Sequence, residues 1–289
     1  MDGVLLAGGT GSRLRPLTAS VCKQLLPVYD KPMVFYPLSL LMLAGVRRTL
    51  VITTPRDHQA FVDLLGDGSA WGTELAYAVQ DRPAGIAQAL TLAEGFLAGR
   101  ASMLVLGDNL LYGEGLTAVL RRMAALERGA HVLGYPVADP TQYGVLAFEG
   151  ERVVDLVEKP ADPPSRFAVP GLYAYDGTAP ARVASQAPSA RGELEITDLN
   201  RSYLADGQLE VSCLGRGVAW LDMGTPASLH EAAGFVQTLQ ARQGYRVGCP
   251  EEVAWRQGWI DDEALLACAA GYRATEYGAY LERLVEEGA

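Results

Sequence analysis

The chain is poor in the residues that build metal cages and covalent active sites, with three histidines and four cysteines among 289 residues. Cys22, Cys213, Cys249 and Cys268 form no Cys-x-x-Cys pair, and His58, His131 and His230 stand apart from them and from one another, so neither a zinc site nor a disulfide framework is indicated. No Ser-His-Asp set or cysteine nucleophile is evident. No lysine or arginine cluster offsets a formal net charge of −10, which argues against sequence-independent nucleic-acid binding. The longest apolar run, residues 33–46, is too short for a bilayer span and contains Pro37, and no basic segment with a cleavage site precedes it. We expect a reduced, cytoplasmic protein that partners neither nucleic acid nor membrane. Two common phosphate loops are missing as well. A Walker loop needs a Gly-Lys pair, which occurs nowhere, and a dinucleotide fingerprint needs glycine where Leu14 stands.

What is present is a glycine loop of another kind. Leu6-Ala7-Gly8-Gly9-Thr10-Gly11-Ser12-Arg13-Leu14-Arg15-Pro16 follows a short apolar strand over residues 3–7, and Lys23-Gln24-Leu25-Leu26-Pro27 comes soon after. Gly8, Gly9 and Gly11 leave backbone N–H groups unshielded beside Ser12, while Arg13 and Lys23 supply the charge that a polyphosphate needs neutralised.

With 49% hydrophobic and 20% charged residues, the chain can bury a full core. Short β-rich runs at 49–53, 74–79, 102–107 and 131–137 alternate with helix-period segments at 86–97 and 116–123. That alternation predicts an α/β protein around a mostly parallel sheet covered on both faces. Further strand runs at 144–148, 153–157, 168–175 and 209–213 make the sheet mixed. Beyond about residue 227 the strand signal ends, which predicts two regions: a catalytic domain over 1–226 and a helical C-terminal appendage over 227–289, packed on the core or at a subunit interface.

Ligands of such sheets bind at the carboxyl ends of the strands. Asp108 ends the run Met103-Leu104-Val105-Leu106-Gly107, and Asp222 ends Val218-Ala219-Trp220-Leu221, ahead of Gly224-Thr225-Pro226, where Thr225 is placed to cap a helix. Two carboxylates converging on a polyphosphate suit Mg2+, which takes one or two protein carboxylates and leaves its other positions to phosphate and water. Glu158-Lys159-Pro160 offers a cation for a second phosphate, and Glu158, Tyr143-Gly144 and Tyr173 offer groups that read sugar hydroxyls. With no nucleophile evident, catalysis by positioning and charge neutralisation fits best.

These runs, with Val28-Tyr29-Asp30-Lys31-Pro32-Met33, Gly66-Asp67-Gly68-Ser69-x-Trp71-Gly72, Leu106-Gly107-Asp108-Asn109 and Arg191-Gly192-Glu193-Leu194-Glu195-Ile196-Thr197-Asp198, closely resemble the glucose-1-phosphate thymidylyltransferases, a branch of the sugar nucleotidylyltransferases. The resemblance covers essentially the whole chain. It implies a Rossmann-like nucleotidyltransferase fold and the conversion of dTTP and α-D-glucose 1-phosphate to dTDP-glucose and pyrophosphate with Mg2+, the first committed step toward dTDP-deoxysugars such as rhamnose. By this similarity Arg13 and Lys23 serve the triphosphate, Gln80 and the Gly85 backbone read the thymine edge, and Gln24 contacts the deoxyribose region. Lys159 holds the glucose phosphate, Tyr143, Gly144, Glu158, Val169 and Tyr173 surround the glucose, and Asp108 and Asp222 hold Mg2+. A homotetramer, a dimer of dimers, is implied too. Ser12, Cys22 and Met223 depart from the family pattern near the site, and Glu114 stands where the family has histidine beside a regulatory site. The alternatives are a transferase for another base or sugar, a silent sugar-nucleotide-binding subunit and a metal-dependent glycosyltransferase. The presence of both aspartates with Arg13, Lys23 and Lys159 disfavours the second, and the cation-bearing loop has no purpose in the third.

Overall fold

Four apolar runs form the parallel half of the sheet: β1 (Asp2–Leu6), β2 (Arg48–Thr53), β3 (Glu74–Val79) and β4 (Ser102–Leu106), in the spatial order β3-β2-β1-β4. The structure is a computed structural model describing residues 1–9 and 11–288, so Thr10 of the glycine loop and Ala289 lie outside the described residues. Register pairs Val4 with both Leu50 and Leu104, and Leu5 with both Val51 and Val105. Alternate residues therefore enter two cores. Val4, Leu50 and Leu104 pack with Ala89 and Leu90, whereas Leu5, Val51 and Val105 pack with Phe35, Leu38 and Leu41. Burial on both faces is why these strands read as continuous apolar runs rather than alternating ones. The covering helices here are α1 (Phe35–Leu43), α2 (His58–Leu65), α3 (Gln88–Leu92) and α4 (Leu116–Ala124). Pro37 is tolerated because it lies in the first turn of α1, where backbone N–H groups lack helical partners.

The middle of the chain adds β5 (Asn109–Gly113), β6 (Ala130–Pro136), β7 (Gly144–Glu149), β8 (Arg152–Glu158), β9 (Phe167–Ala168), β10 (Leu172–Tyr175), β11 (Leu209–Cys213) and β12 (Val218–Asp222). The ten-stranded sheet runs β8-β7-β9-β6-β10-β4-β1-β2-β3, with β11 parallel on β6. It is mixed as predicted, since β10 joins β4 and β6 antiparallel. Strands β5 and β12 form a separate antiparallel ribbon. The single strand expected over 168–175 is interrupted, because Pro170 has no N–H and Gly171 gives its own to Asn109 Oδ1 at 3.1 Å. The helical run expected over 86–97 is split into α3 and a short turn, Glu94–Leu97.

From Thr225 onward the described residues form helices: α5 (Ile196–Ala205) precedes them, followed by α6 (Pro226–Gln243), α7 (Pro250–Arg256), α8 (Asp262–Gly271) and α9 (Glu276–Glu287). Thr225 caps α6 as predicted, accepting from the Ser228 N–H at 3.2 Å with Pro226 following. The C-terminal helices are fastened to the sheet region. Ala254 of α7 enters the α1 core, and the Gln257 amide donates to the Met42 and Leu43 carbonyls at 3.3 and 3.4 Å, two of the unpaired carbonyls at the end of α1.

Candidate active site

Because β1 and β4 are parallel neighbours, the loops leaving their carboxyl ends emerge side by side. The Gly107 N–H still donates to the Leu6 carbonyl at 2.9 Å, so Asp108 is delivered next to the glycine loop. Gly11 turns that loop with φ +56° and is locked by the Thr18 hydroxyl donating to its carbonyl at 2.8 Å. The short turn Ser12–Leu14 follows, with Leu14 buried as its anchor and Arg13 exposed. A second such turn, Lys23–Leu25, buries Lys23, and its ammonium pairs with Asp108. Gln24 lies beneath the loop, where its amide donates to the Gly8 carbonyl at 3.2 Å and accepts from the Cys22 thiol at 2.8 Å. Burial pushes that thiol up to about 11, so Cys22 is held as a neutral donor.

The β5–β12 ribbon brings in the second carboxylate. Asp222 is paired in register with Asn109, and the Met223 N–H donates to the Asp108 carbonyl at 3.0 Å. Burial first, and then the neighbouring Asp108, hold the Asp222 carboxyl above the usual carboxylate range, with Lys23, the Gly224 N–H and Arg13 opposing. Gly224 leaves room for this crowding, since a Cβ there would lie 2.6 Å from Asp222 Oδ1 and 3.0 Å from Arg13 Nη2. Two mutually repelling carboxylates are a donor set that a divalent cation with phosphate ligands fits. Among the described residues no group of three or more His, Cys, Asp or Glu gathers as a closed cage.

Beside them opens a cavity of about 470 Å3. Arg13 and Asp222 line one side, and all six predicted sugar-site residues, Tyr143, Gly144, Glu158, Lys159, Val169 and Tyr173, line it as well. Glu158 closes β8 and is held from three directions. Thr197 Oγ1 donates to its Oε2 at 2.5 Å, while Arg191 and Lys159 approach its Oε1 at 3.3 and 3.4 Å. Lys159 adopts φ +44°, a left-handed conformation unusual for a side-chain-bearing residue, and its N–H bonds the Tyr143 carbonyl at 2.9 Å. Tyr143 packs on Trp220 at 5.0 Å between ring centroids, and burial followed by Asp222 pushes its phenol up to about 12.

A second opening of about 250 Å3 is lined by Gly9, Arg15, Arg56, Gln80 and Asp81, among others. Gln80 directly follows β3, and Gly85 sits on the next loop with φ +101°. Leu194 pairs with that loop, donating to the Ala84 carbonyl at 2.7 Å and accepting from the Ala87 N–H at 3.2 Å. Gly8, Gly11, Ser12, Lys23, Gln24, Gly85 and Asp108 line neither opening.

Sequence reasoning missed several site residues. Asn109 is a hub: Trp220 Nε1 and the Gly171 N–H donate to its Oδ1 at 2.6 and 3.1 Å, and its amide donates to Asp108 Oδ1 at 3.0 Å. Thr197 and Asn200, one turn apart on α5, both line the larger cavity, and Asn200 accepts from Tyr175 at 2.7 Å. The sequence carries a Ser-His-Glu alignment that it does not reveal. His131 Nε2 lies 2.6 Å from Ser212 Oγ, and its Nδ1 lies 3.7 Å from Glu210. His131 is fully buried on β6 and lines none of these cavities, so it braces β11 rather than acting on a substrate.

The model of the family described as nucleotidyl transferase matches residues 2–238. The chain belongs to that family. It is 56% identical over 288 residues to the glucose-1-phosphate thymidylyltransferase of Xanthomonas campestris pv. campestris (strain B100), covering 99% of this chain and 98% of that protein. The Neisseria meningitidis enzyme of the same name is 54% identical over 288 residues, 99% of this chain and all of that protein. Among solved structures, a UDP-glucose pyrophosphorylase with UDP-glucose bound superposes with a TM-score of 0.72 at 23% identity, covering 82% of this chain and 98% of that one. That likeness bears on the fold. Membership of the thymidylyltransferase branch rests on the relatives above 50% identity.

Proposed function

We propose that this protein transfers a thymidylyl group from dTTP to α-D-glucose 1-phosphate, giving dTDP-glucose and pyrophosphate. One observation carries the reading: Arg13 of the glycine loop and the Asp222 carboxylate line the same cavity as Glu158 and Lys159. The sugar phosphate, held by Lys159, presents an oxygen in line to the α-phosphorus of dTTP. Arg13 and Lys23 neutralise the charge that develops on the departing pyrophosphate. Tyr143, Gly144, Val169, Tyr173 and Glu158 shape the sugar side, whereas Gln80 and the Gly85 backbone take the thymine edge. Gln24 braces the Gly8 carbonyl of the loop beside the deoxyribose. Asp108 and Asp222 would hold Mg2+, which when bound supplies charge neutralisation and orientation of the phosphates. The Lys23–Asp108 pair holds that carboxylate in place before it is needed.

We take residues 1–226 as the catalytic unit and 227–289 as its helical appendage. The reading extends to a cytoplasmic homotetramer that feeds dTDP-deoxysugar synthesis; no helix among the described residues is long and apolar enough to cross a membrane. The deciding experiment measures pyrophosphate release with glucose 1-phosphate against dTTP, UTP, dCTP and ATP. Preference for dTTP is expected, and turnover with ATP alone would overturn the assignment.

A further inference from the structure

We infer that Gln88 is a positioning residue that sets which pyrimidine the site accepts, by fixing the side-chain amide of Gln80. The inference rests on the proposed thymidylyl transfer, in which Gln80 reads the base. Gln88 Oε1 accepts from the Ala84 backbone N–H at 2.9 Å and from Gln80 Nε2 at 2.7 Å. A backbone N–H can only donate, so the Gln88 atom facing it is the oxygen. That oxygen can only accept, so the Gln80 atom facing it is the nitrogen. Gln80 Oε1 is thereby turned away from Gln88 toward the glycine loop, where a Cβ on Gly8 would lie 2.6 Å from it. Gln80 is 3% exposed and lines the smaller opening together with Gly9.

An acceptor fixed in that position has a definite reading. Thymine and uracil offer an N3–H donor between two carbonyl acceptors, whereas cytosine offers a bare N3 acceptor beside an amino donor. Gln80 Oε1 accepts from the first and meets the second lone pair to lone pair. An amide free to rotate by 180° would satisfy either base. Discrimination thus depends on the residue that prevents the rotation, which is Gln88 at the start of α3. A site whose buried polar groups are satisfied by one ligand and orphaned by another separates the two strongly.

The test compares kcat and KM for dTTP and dCTP in the natural protein, in Gln88→Met, which removes the acceptor at similar volume, and in Gln88→Glu, which keeps an acceptor oxygen. Wild type should favour dTTP by about 100-fold or more, and Gln88→Met should lower that ratio by about tenfold through KM for dTTP, with kcat within about twofold. Gln88→Glu should retain the wild-type ratio, a rescue that a merely structural role does not predict. An unchanged ratio in Gln88→Met, or a collapse in Gln88→Glu as large as that in Gln88→Met, overturns the inference. Gln88→Leu repeats the test if Gln88→Met fails to fold. Wild-type turnover without preference for dTTP over dCTP overturns the base reading itself, so the two failures are distinguishable.

Discussion

Replacing Asp222 with Asn should make the protein nearly inactive and at the same time slightly more stable. The carboxyl of Asp222 is held above its ordinary range by burial and by Asp108, so the folded protein binds that proton more tightly than the unfolded chain does. Its ionised form therefore costs stability, and the cost grows as pH rises from the ordinary carboxylate range through the raised folded value. Above that folded value the cost is fully present, so an uncharged isostere that keeps the Gly224 N–H contact relieves it. Turnover moves the other way. Two unit charges about 4 Å apart at an effective dielectric near 20 interact by about 4 kcal/mol, which corresponds to about three orders of magnitude in rate. Mg2+ carries twice that charge, so losing its attraction to Asp222 should lower kcat/KM by at least that much at saturating Mg2+. Thermal melts without metal at pH 7, paired with pyrophosphate-release kinetics, measure both effects. Melting at or above wild type with turnover down about 1000-fold or more is expected. Turnover within tenfold of wild type, or a metal-free melt several degrees lower, would refute the reasoning.

Lys159→Ala should mainly raise KM for glucose 1-phosphate, and Arg13→Ala should mainly lower kcat, because the first lines the sugar cavity beside Glu158 and the second lies against Asp222; identical kinetic signatures would mean that one cation is misplaced. Burial holds the His131 imidazole below its usual value against the opposing pull of Glu210, so below about pH 6.5 the unfolded chain takes up this proton first. Stability should therefore fall, by at most about 1.4 kcal/mol per pH unit, until the depressed folded value is reached. Melts of wild type and His131→Phe between pH 7 and 5 test this, since the variant should lack that component. Glu114 lines a separate cavity of about 640 Å3 with Arg121, Arg246 and Arg256. If an end-product nucleotide sugar binds there as the family resemblance implies, Glu114→His should tighten inhibition several-fold, about 1 kcal/mol, at unchanged uninhibited turnover, as read by inhibitor titration.

What the sequence made legible was whatever a single strand end could announce. Asp108 and the glycine loop each follow an apolar run, and the parallel neighbours β1 and β4 place such ends together whatever the intervening chain contains, whereas Asp222, also at the end of an apolar run, arrives on the antiparallel ribbon. The same logic carried Glu158, which closes β8, and Lys159, which follows it. It failed at β5, because Asn-Leu-Leu-Tyr-Gly begins two residues after β4 and shows no alternation, yet that strand brings Asp222 opposite Asn109. It failed again at residues 169–171, where a continuous apolar run conceals a break.

The residues that stayed hidden share a physical trait: their roles are set by hydrogen-bond partners distant in sequence. Asn109 bonds Gly171 and Trp220, 62 and 111 positions away, and Thr197 reaches Glu158 across 39. No local pattern records such partners. Gln88 differs, since Ala84 and Gln80 lie only four and eight positions back, and still the sequence is silent about it. A glutamine announces one donor end and one acceptor end without saying which faces where. Only the backbone N–H of Ala84 resolves that, passing its polarity through Gln88 to Gln80. The direction of the Gln80 amide, on which the proposed base selection rests, is thus set only when the chain has folded, which is why a substitution that conserves volume but not polarity is the informative one.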